Sequence, residues 1–322
     1  MNFVKENSSR FKMVSLGCGS KSKVKLFGMA VFQSVPSHVR RYFKFLDRFL
    51  DQLADKCCSN LWVEVDGLMF RIVDYGSLGI VRDEFEPFMK QYFKPKNGEV
   101  VLDVGANVGK YTLTSARTVG KSGFVVAIEP NVNNYLSLLK ALKVNKFFNV
   151  CAVKCAASDH DGSLKLFTGL NSGTHSAFCN QGRGVSVVEC LMMDGLIKSL
   201  KLGRLDWVKV DVEGAELSVL CGLQESLLQF KPKLIVEVWD RTRREVLGLM
   251  KSLGFECLEV ERLAGFDYMT LGGCSYFYCY PCWFTQVFAV KNGKLPFASK
   301  RLFKTECAMC GETVDGKFVG AE

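Results

Sequence analysis

Residues 100–112, Val-Val-Leu-Asp-Val-Gly-Ala-Asn-Val-Gly-Lys-Tyr-Thr, limit what this chain can fold into more than any other segment. The apolar residues Val100, Val101, Leu102 and Val104 around Asp103 predict a strand buried on both faces, as in a sheet covered by helices. Gly105 and Gly109 then allow a sharp turn and a close approach of the backbone to a ligand. Lys110 to Val119 follows as a helix whose first N–H groups have no partner within the helix. Strand, glycine turn and helix N-terminus make the general nucleotide-binding element of open α/β sheets.

The second strand, Phe124 to Ile128, ends on Glu129-Pro130-Asn131. An acidic residue at that tip, about 20 residues beyond the glycine turn, is placed to accept hydrogen bonds from ribose hydroxyls. A dinucleotide site would read Gly-x-Gly-x-x-Gly and seat a pyrophosphate. Here the turn reads Gly-Ala-Asn-Val-Gly, with Asp103 just before it. A carboxylate there repels a pyrophosphate and orients an ammonium. That favours S-adenosylmethionine, which carries a ribose and an amino-acid end but no phosphate. A third strand, Cys151 to Cys155, runs into Ala156-Ala157-Ser158-Asp159, where Asp159 is suited to accept from an adenine amino group.

Five blocks follow one another in order: Asp-Val-Gly-Ala-Asn-Val-Gly-Lys-Tyr-Thr (103–112), Ile-Glu-Pro-Asn (128–131), Ala-Ala-Ser-Asp (156–159), Val-Lys-Val-Asp-Val-Glu-Gly-Ala-Glu (208–216) and Ile-Val-Glu-Val (235–238). The set resembles the FkbM family of S-adenosylmethionine-dependent methyltransferases over roughly residues 62–262, with 208–216 the most distinctive block. The resemblance implies the class I methyltransferase fold, an α/β Rossmann-like sheet of seven strands whose last is antiparallel. It implies transfer to a hydroxyl oxygen, commonly on a sugar or natural-product scaffold. It also implies a cofactor site built from Asp103, Gly105, Ala106, Asn107, Gly109, Tyr111, Thr112, Glu129, Pro130, Asn131, Ala157, Ser158, Asp159 and Asp211.

Residues 1–60 are expected to form a basic, partly helical extension, 61–292 the methyltransferase domain and 293–322 a Cys-containing tail. Of the net charge of +9, nearly all arises in residues 1–50, which hold ten Lys/Arg against Glu6 and Asp47. A solvated helical face is the expectation for that arm, with helical spacing clearest from Val39 to Leu53. Lysines interrupt every apolar run in residues 1–30, so no cleavable signal peptide is expected. The uncharged stretch Tyr268–Val290 is long enough to span a bilayer, but Gly272, Gly273, Pro281 and Gln286 interrupt it and the sheet needs a strand there. A cytoplasmic chain with no transmembrane segment is expected. Fourteen cysteines without a secretory signal suit a reducing compartment, with Cys151, Cys155, Cys190 and Cys221 in apolar runs.

Leu61 to Val73 alternates around Asp66-Gly67, a two-residue hairpin signal. Glu84 to Tyr92 reads as a helix; Ser163–Thr168 and Val185–Glu189 read as two extra strands. Leu205–Val210 resumes the sheet, followed by a helix from Ala215 to about Leu228, a strand at Leu234–Val238 and a helix at Glu245–Leu253. Phe255–Glu261 and Thr285–Val290 would close the sheet as a long hairpin. Its aromatic connection (Phe266, Tyr268, Tyr276, Phe277, Tyr278, Tyr280, Trp283) would either wall the acceptor pocket or pack against another surface.

Ligands of open α/β sheets bind beyond the carboxyl ends of the strands, which gathers Asp103, Glu129, Asp159, Asp211, Glu213 and Glu237. Methyl transfer to a hydroxyl is an in-line displacement that also releases a proton. Asp211 or Glu213 is the candidate base, with Glu237 a second carboxylate for acceptor hydroxyls and His175 a base from a polar loop. Glu216 is read equally as a first-turn helix carboxylate. No metal is assigned to the acidic group. Cys279-x-x-Cys282 and Cys307-x-x-Cys310 have the type and number of a zinc site, but the strand expected between them favours free thiols. The expected partner is a small-molecule or glycan acceptor. The alternatives are an RNA methyltransferase using the basic arm, or a binding protein that has lost turnover.

Overall fold

The computed structural model describes residues 12–33, 54–82, 84–169, 172–177, 184–263 and 274–281, with 261–263, 301–306 and 313–318 described by backbone alone. Two compact units divide the chain: residues 1–156 with 162–190, and 157–161 with 191–322.

In the first unit, helix α1 (Gly19–Gln33) turns Leu26 and Met29 into a core shared with Met13, Ala54, Cys58 and a hairpin. Lys12, Lys21, Lys23 and Lys25 stay in solvent, while Val39–Leu53 lies outside the described residues. The hairpin is β1 (Leu61–Val65) and β2 (Leu68–Ile72), closed by the pair Val65–Leu68. Asp66 and Gly67 at its tip both have positive φ (51° and 71°), the twist that matches flanking strands. Leu61, Val63, Val65, Leu68, Phe70 and Ile72 face the core, so strict alternation in the sequence became one buried face.

Asp74 opens α2 (Tyr75–Val81) with a capping box: its Oδ1 accepts the Ser77 N–H at 2.8 Å and Ser77 Oγ accepts the Asp74 N–H at 3.0 Å. Glu84–Tyr92 forms only a single helical turn, α3 (Met89–Tyr92). Glu86 takes a left-handed φ of 51° ahead of Pro87, which disfavours helix at the residue before it. Lys110 Nζ also donates to the Arg82 and Phe85 carbonyls, at 3.0 and 2.7 Å, while the Arg82 carbonyl accepts the Phe85 N–H at 3.2 Å in a tighter turn. Then β3 (Val100–Val104), α4 (Lys110–Val119), β4 (Phe124–Ile128), α5 (Val132–Val144) and β5 (Val150–Val153) alternate as expected, β4 pairing in parallel with both β3 and β5. A second, three-stranded sheet has the order β6 (Ala156–Ser158), β8 (Val185–Met192), β7 (Gly162–Phe167), the last two being the expected extra strands.

The second unit continues with α6 (Met193–Ser199), β9 (Trp207–Val210), α7 (Glu216–Cys221), α8 (Gln224–Phe230), β10 (Lys233–Trp239), α9 (Arg243–Ser252), β11 (Phe255–Leu263) and β12 (Cys274–Pro281). The main sheet has seven strands in the order β11-β12-β10-β9-β3-β4-β5. Strand β9 is parallel to β10, and β12 is antiparallel to both β10 and β11, giving the expected mixed sheet. The antiparallel strand is not where the sequence placed it. Thr285–Val290 lies outside the described residues, and Cys274–Pro281 fills the role. Tyr276, Phe277 and Tyr280 are therefore buried in the sheet rather than standing in a loop, consistent with the strand preference of aromatic runs. Phe266, Tyr268 and Trp283 lie outside the described residues. No helix among the described residues is long and apolar enough to cross a membrane. A hairpin, β13 (Arg301–Glu306) with β14 (Thr313–Phe318), follows.

The helix expected over Ala215–Leu228 is broken in two. Gly222 sits against Ser158, so closely that a Cβ there would lie 1.9 Å from the Ser158 carbonyl oxygen. Its own carbonyl accepts the Asp194 N–H at 2.9 Å. The Asp194 carboxylate in turn caps α8, accepting from the N–H groups of Glu225 (3.0 Å) and Ser226 (2.8 Å). Replacing Gly222 by alanine forces the backbone apart, and Gly222→Ala should lose about 3 kcal/mol, read as a lowered midpoint in denaturant unfolding.

Candidate active site

The expected site residues fall into two groups, one in each unit. In the first, Asp103 is buried in the last turn of β3 and its Oδ2 accepts the Thr112 hydroxyl at 2.6 Å. Glu129, one residue past β4, is 5% exposed. Its Oε2 accepts the Asn107 N–H and its Oε1 the Asn131 N–H, each at 2.8 Å. Burial above all, with the Asp103 charge adding to it, pushes the Glu129 carboxyl up to about 7 against the pull of those N–H groups. Gly105 and Gly109 both have positive φ (85° and 98°), and Asn107 between them adopts a left-handed φ of 52°. A Cβ at Gly109 would lie 2.6 Å from both Leu113 and Leu138, which fixes glycine there.

The turn is not a phosphate cradle. The N–H groups of Gly105 and Ala106 are both spent on the Ile128 carbonyl, at 3.0 and 2.9 Å. What remains is a set of acceptors, two carboxylates at adjacent strand ends. That donor set fits the ammonium and ribose of S-adenosylmethionine and opposes a pyrophosphate. Asn131 caps α5, and Pro130 is half-buried beside it. Tyr111 does not have a free hydroxyl to offer, since it donates to the Glu86 carboxylate.

A loop carried by the polar insertion is strapped to this turn. Asn107 Nδ2 and Asn134 Nδ2 both donate to the Ser172 carbonyl, at 2.9 and 3.0 Å. Asp74 accepts the Ser172 N–H at 2.6 Å and its hydroxyl at 2.7 Å. Sequence reasoning missed Asp74, Asn134 and Ser172. The Asp74-x-x-Ser77 spacing was a legible cap signal, but nothing local reveals a partner 98 residues away. His175, three residues on, accepts the Gly169 N–H on Nδ1 at 3.0 Å. Its neutral ring then carries the proton on Nε2, and burial lowers its pKa. It holds the loop.

In the second unit, Asp211 stands one residue past β9, Glu237 lies within β10, and Glu213 follows in the turn. One carboxylate oxygen from each lies within 4.8 Å of the others. Lys209, 2% exposed in β9, places Nζ 2.9 Å from Asp211 Oδ2. Burial is the largest single influence and would raise the Asp211 carboxyl, but the Lys209 charge, the hydrogen bond with Glu237 and the hydrogen bond from Lys209 together hold it below the usual carboxylate range. Glu237 is driven the other way, first by burial and then by the charges of Asp211 and Glu213. Its Oε1 accepts from Cys274 Sγ at 3.1 Å. Glu216 is the first residue of α7, in the first turn as read, and is fully buried, accepting the Gly214 N–H at 2.7 Å. Burial pushes it up to about 7. Lys209 and Cys274 were also missed, though a lysine inside Val-Lys-Val-Asp was a visible anomaly in a buried strand.

Ala157 and Ser158 are buried, and Asp159 is half-exposed with Oδ1 at 2.8 Å from His160 Nδ1. That contact, foremost, keeps the Asp159 carboxyl low. Of the zinc candidates, Cys279 is buried in β12 opposite Cys257, while Cys282, Cys307 and Cys310 lie outside the described residues. Cys155 and Cys190 are buried, and Cys151 and Cys221 partly so.

Raised from 4.5 to about 7, Glu129 keeps a proton in the folded chain that the unfolded chain has released. Its stabilising contribution is complete below the unfolded value and is lost as pH rises through the folded one. Glu129→Gln should flatten the fall in stability between about pH 5 and 8 by about 3 kcal/mol. Denaturant unfolding at several pH values reads the slope. The absolute level also drops, because an amide cannot accept both N–H groups.

Residues 103–257 match the family model for the methyltransferase FkbM domain. Methyltransferase sdnD of Sordaria araneosa is 29% identical over 190 residues, covering 48% of this chain and 73% of the relative. Methyltransferase 1 of Beauveria bassiana is 27% identical over 187 residues, covering 50% of this chain and 74% of the relative. Among solved structures, the methyltransferase FkbM of Methylobacillus flagellatus aligns with 17% identity and a TM-score of 0.41, over 85% of this chain and 59% of that one. Residues 103–257 are thus a domain of the FkbM methyltransferase family.

Proposed function

We propose that the protein transfers a methyl group from S-adenosylmethionine to a hydroxyl oxygen of a sugar or a small natural-product-like acceptor. The observation that carries this reading is the pairing of Lys209 with Asp211 beside Glu237: an ionised carboxylate next to a buried carboxyl that takes up a proton. An amine acceptor needs no such base once it is neutral, whereas a hydroxyl must lose its proton as it attacks.

The cofactor, when bound, supplies an electrophilic methyl carbon on a sulfonium. Glu129 would accept its ribose hydroxyls, Asp103 its ammonium and Asp159 its adenine amino group. Asp211 would take up the proton of the acceptor hydroxyl as that oxygen is methylated. Glu237 holds a neighbouring acceptor hydroxyl. A charge fixed in place before the reaction costs no reorganisation during it, and Lys209 fixes Asp211.

Calorimetric titration with S-adenosylmethionine and S-adenosylhomocysteine is the direct test. Binding that Glu129→Ala weakens tenfold or more supports the cofactor assignment, and absence of binding by folded protein removes it. On a hydroxylated acceptor, Asp211→Asn should lower kcat by about 10²–10⁴, measured as S-adenosylhomocysteine released, with cofactor affinity little changed. Equal loss in affinity would instead place Asp211 in cofactor binding.

A further inference from the structure

We infer that the outer face of α5, together with the turn that follows it, docks the protein onto an anionic lipid surface. Helix α5 has two apolar faces, and folding uses one of them. Leu138, Ala141 and Leu142 are buried in the core of the first unit. On the opposite side Val132, Leu136 and Leu139 recur at the spacing of one helical stripe and stay 50%, 44% and 38% exposed. Val144 carries this exposed apolar surface to the last residue of the helix, and Phe148, 92% exposed, carries it into the turn beyond. Single apolar side chains in solvent are ordinary. A stripe at helical spacing that ends on a phenylalanine almost wholly in water marks an interaction surface.

The charges around the stripe identify its occupant. From Pro130 to Ser158 the chain carries Lys140, Lys143, Lys146 and Lys154 and neither aspartate nor glutamate. All of these lysines are exposed. Lys143 falls on the stripe itself, three turns beyond Val132, and Lys140 borders it. A lysine stem can lie along apolar surface while its ammonium reaches a phosphate. An apolar stripe bordered by lysines suits a helix lying in a lipid headgroup layer, where anionic lipid supplies the opposite charge. A second copy of the chain would set the same lysines against one another, and nucleic acid would leave the aliphatic residues unused.

A second basic surface is tied to the first. In α1, Val24 and Val31 are exposed, and so are Lys21, Lys23 and Lys25 around them. Met69 in the hairpin joins the two helices. Just past α5, Asn145 accepts the Met69 N–H on Oδ1 at 2.9 Å and donates from Nδ2 to the Met69 carbonyl at 2.7 Å. Just before α1, the Cys18 thiol donates to the Met69 sulfur at 3.5 Å. The start of α1 and the end of α5 are thereby fixed on one residue, and their lysines contribute to one positive field. Glu64, which acts on the Cys18 thiol, opposes that field with a single charge.

Docking of this kind is independent of the methyl-transfer reading. Co-sedimentation of the full chain with vesicles tests it. Vesicles of phosphatidylcholine and phosphatidylserine in equal parts should bind the protein about tenfold more tightly than phosphatidylcholine alone, and added salt should weaken the binding. Phe148→Ser should weaken it by about tenfold, and so should Lys140→Glu combined with Lys143→Glu. These positions are exposed, so the variants should keep the fold, which circular dichroism checks. No binding to the anionic vesicles, or equal binding to both kinds, overturns the proposal. Binding that either variant leaves unchanged overturns it as well. A dimer in analytical ultracentrifugation that Phe148→Ser separates, without vesicle binding, gives the face to a second copy instead. RNA binding without vesicle binding gives the lysines to nucleic acid.

Discussion

Two backbone N–H groups from different turns converge on the Glu129 carboxylate, and the cofactor half of the molecule is organised around that convergence. The Asn107 N–H belongs to the glycine turn after β3; the Asn131 N–H belongs to the residue that caps α5. Fixing both on one anion sets the start of α5 relative to the turn that leads into α4. From there the network runs outward. Asn107 and Asn134 meet on the Ser172 carbonyl, and Ser172 is held by Asp74, which also caps α2. Hydrogen bonds to a charged acceptor are worth about 1.5–3 kcal/mol each, more than neutral ones. Removing the carboxylate would also strand two N–H groups. The acid at the end of the second strand is thus a structural hub.

The second unit uses buried charge differently. Lys209 inside β9 gains nothing from hydrophobic burial and must be paired to be tolerated. Replacing such a pair by apolar residues of similar volume is often neutral or stabilising, so stability does not account for its presence. What the pair does provide is a carboxylate whose charge is fixed in a site where Glu237 and Glu216 are both pushed toward neutrality.

How far the sequence disclosed this depends on how local each determinant is. Strands β3 and β4 and helix α4 matched their expected limits because each is set by its own residues: an unbroken apolar run, then glycine, then an amphipathic stretch. The Asp66-Gly67 hairpin is equally local. Where the reading failed, a distant group had decided the matter. Lys110 ties the carbonyls of 82 and 85 to α4, and Ser158 left room only for glycine at 222. The antiparallel strand was misplaced because an uncharged aromatic run without alternation reads as loop or wall as easily as a strand buried on both faces. At the site, the carboxylates were legible from their strand-end positions. Of their partners, Lys209 was visible two residues before Asp211 and was overlooked, whereas the pairing of Asp74 with Ser172 spans 98 residues and leaves no trace in spacing.

Both halves of the candidate site contain a non-glycine residue in left-handed conformation just past a strand, Asn107 at φ 52° and Glu213 at φ 54°. For asparagine this is a tolerated state, and the side chain compensates by accepting the N–H of Val108 at 2.7 Å. For glutamate the conformation costs about 1–3 kcal/mol unless the surroundings impose it. They do so through the next residue. Gly214, at φ 100°, donates its N–H to Glu216 and gives its carbonyl to Arg241, and a Cβ there would lie 2.5 Å from the Arg241 guanidinium. Gly214 is thereby held from both sides, and Glu213 is carried with it toward Asp211 and Glu237. A fold under no other demand would relax such a turn with glycine or asparagine at 213. On the methyl-transfer reading proposed above, the turn sets this acid beside the candidate base.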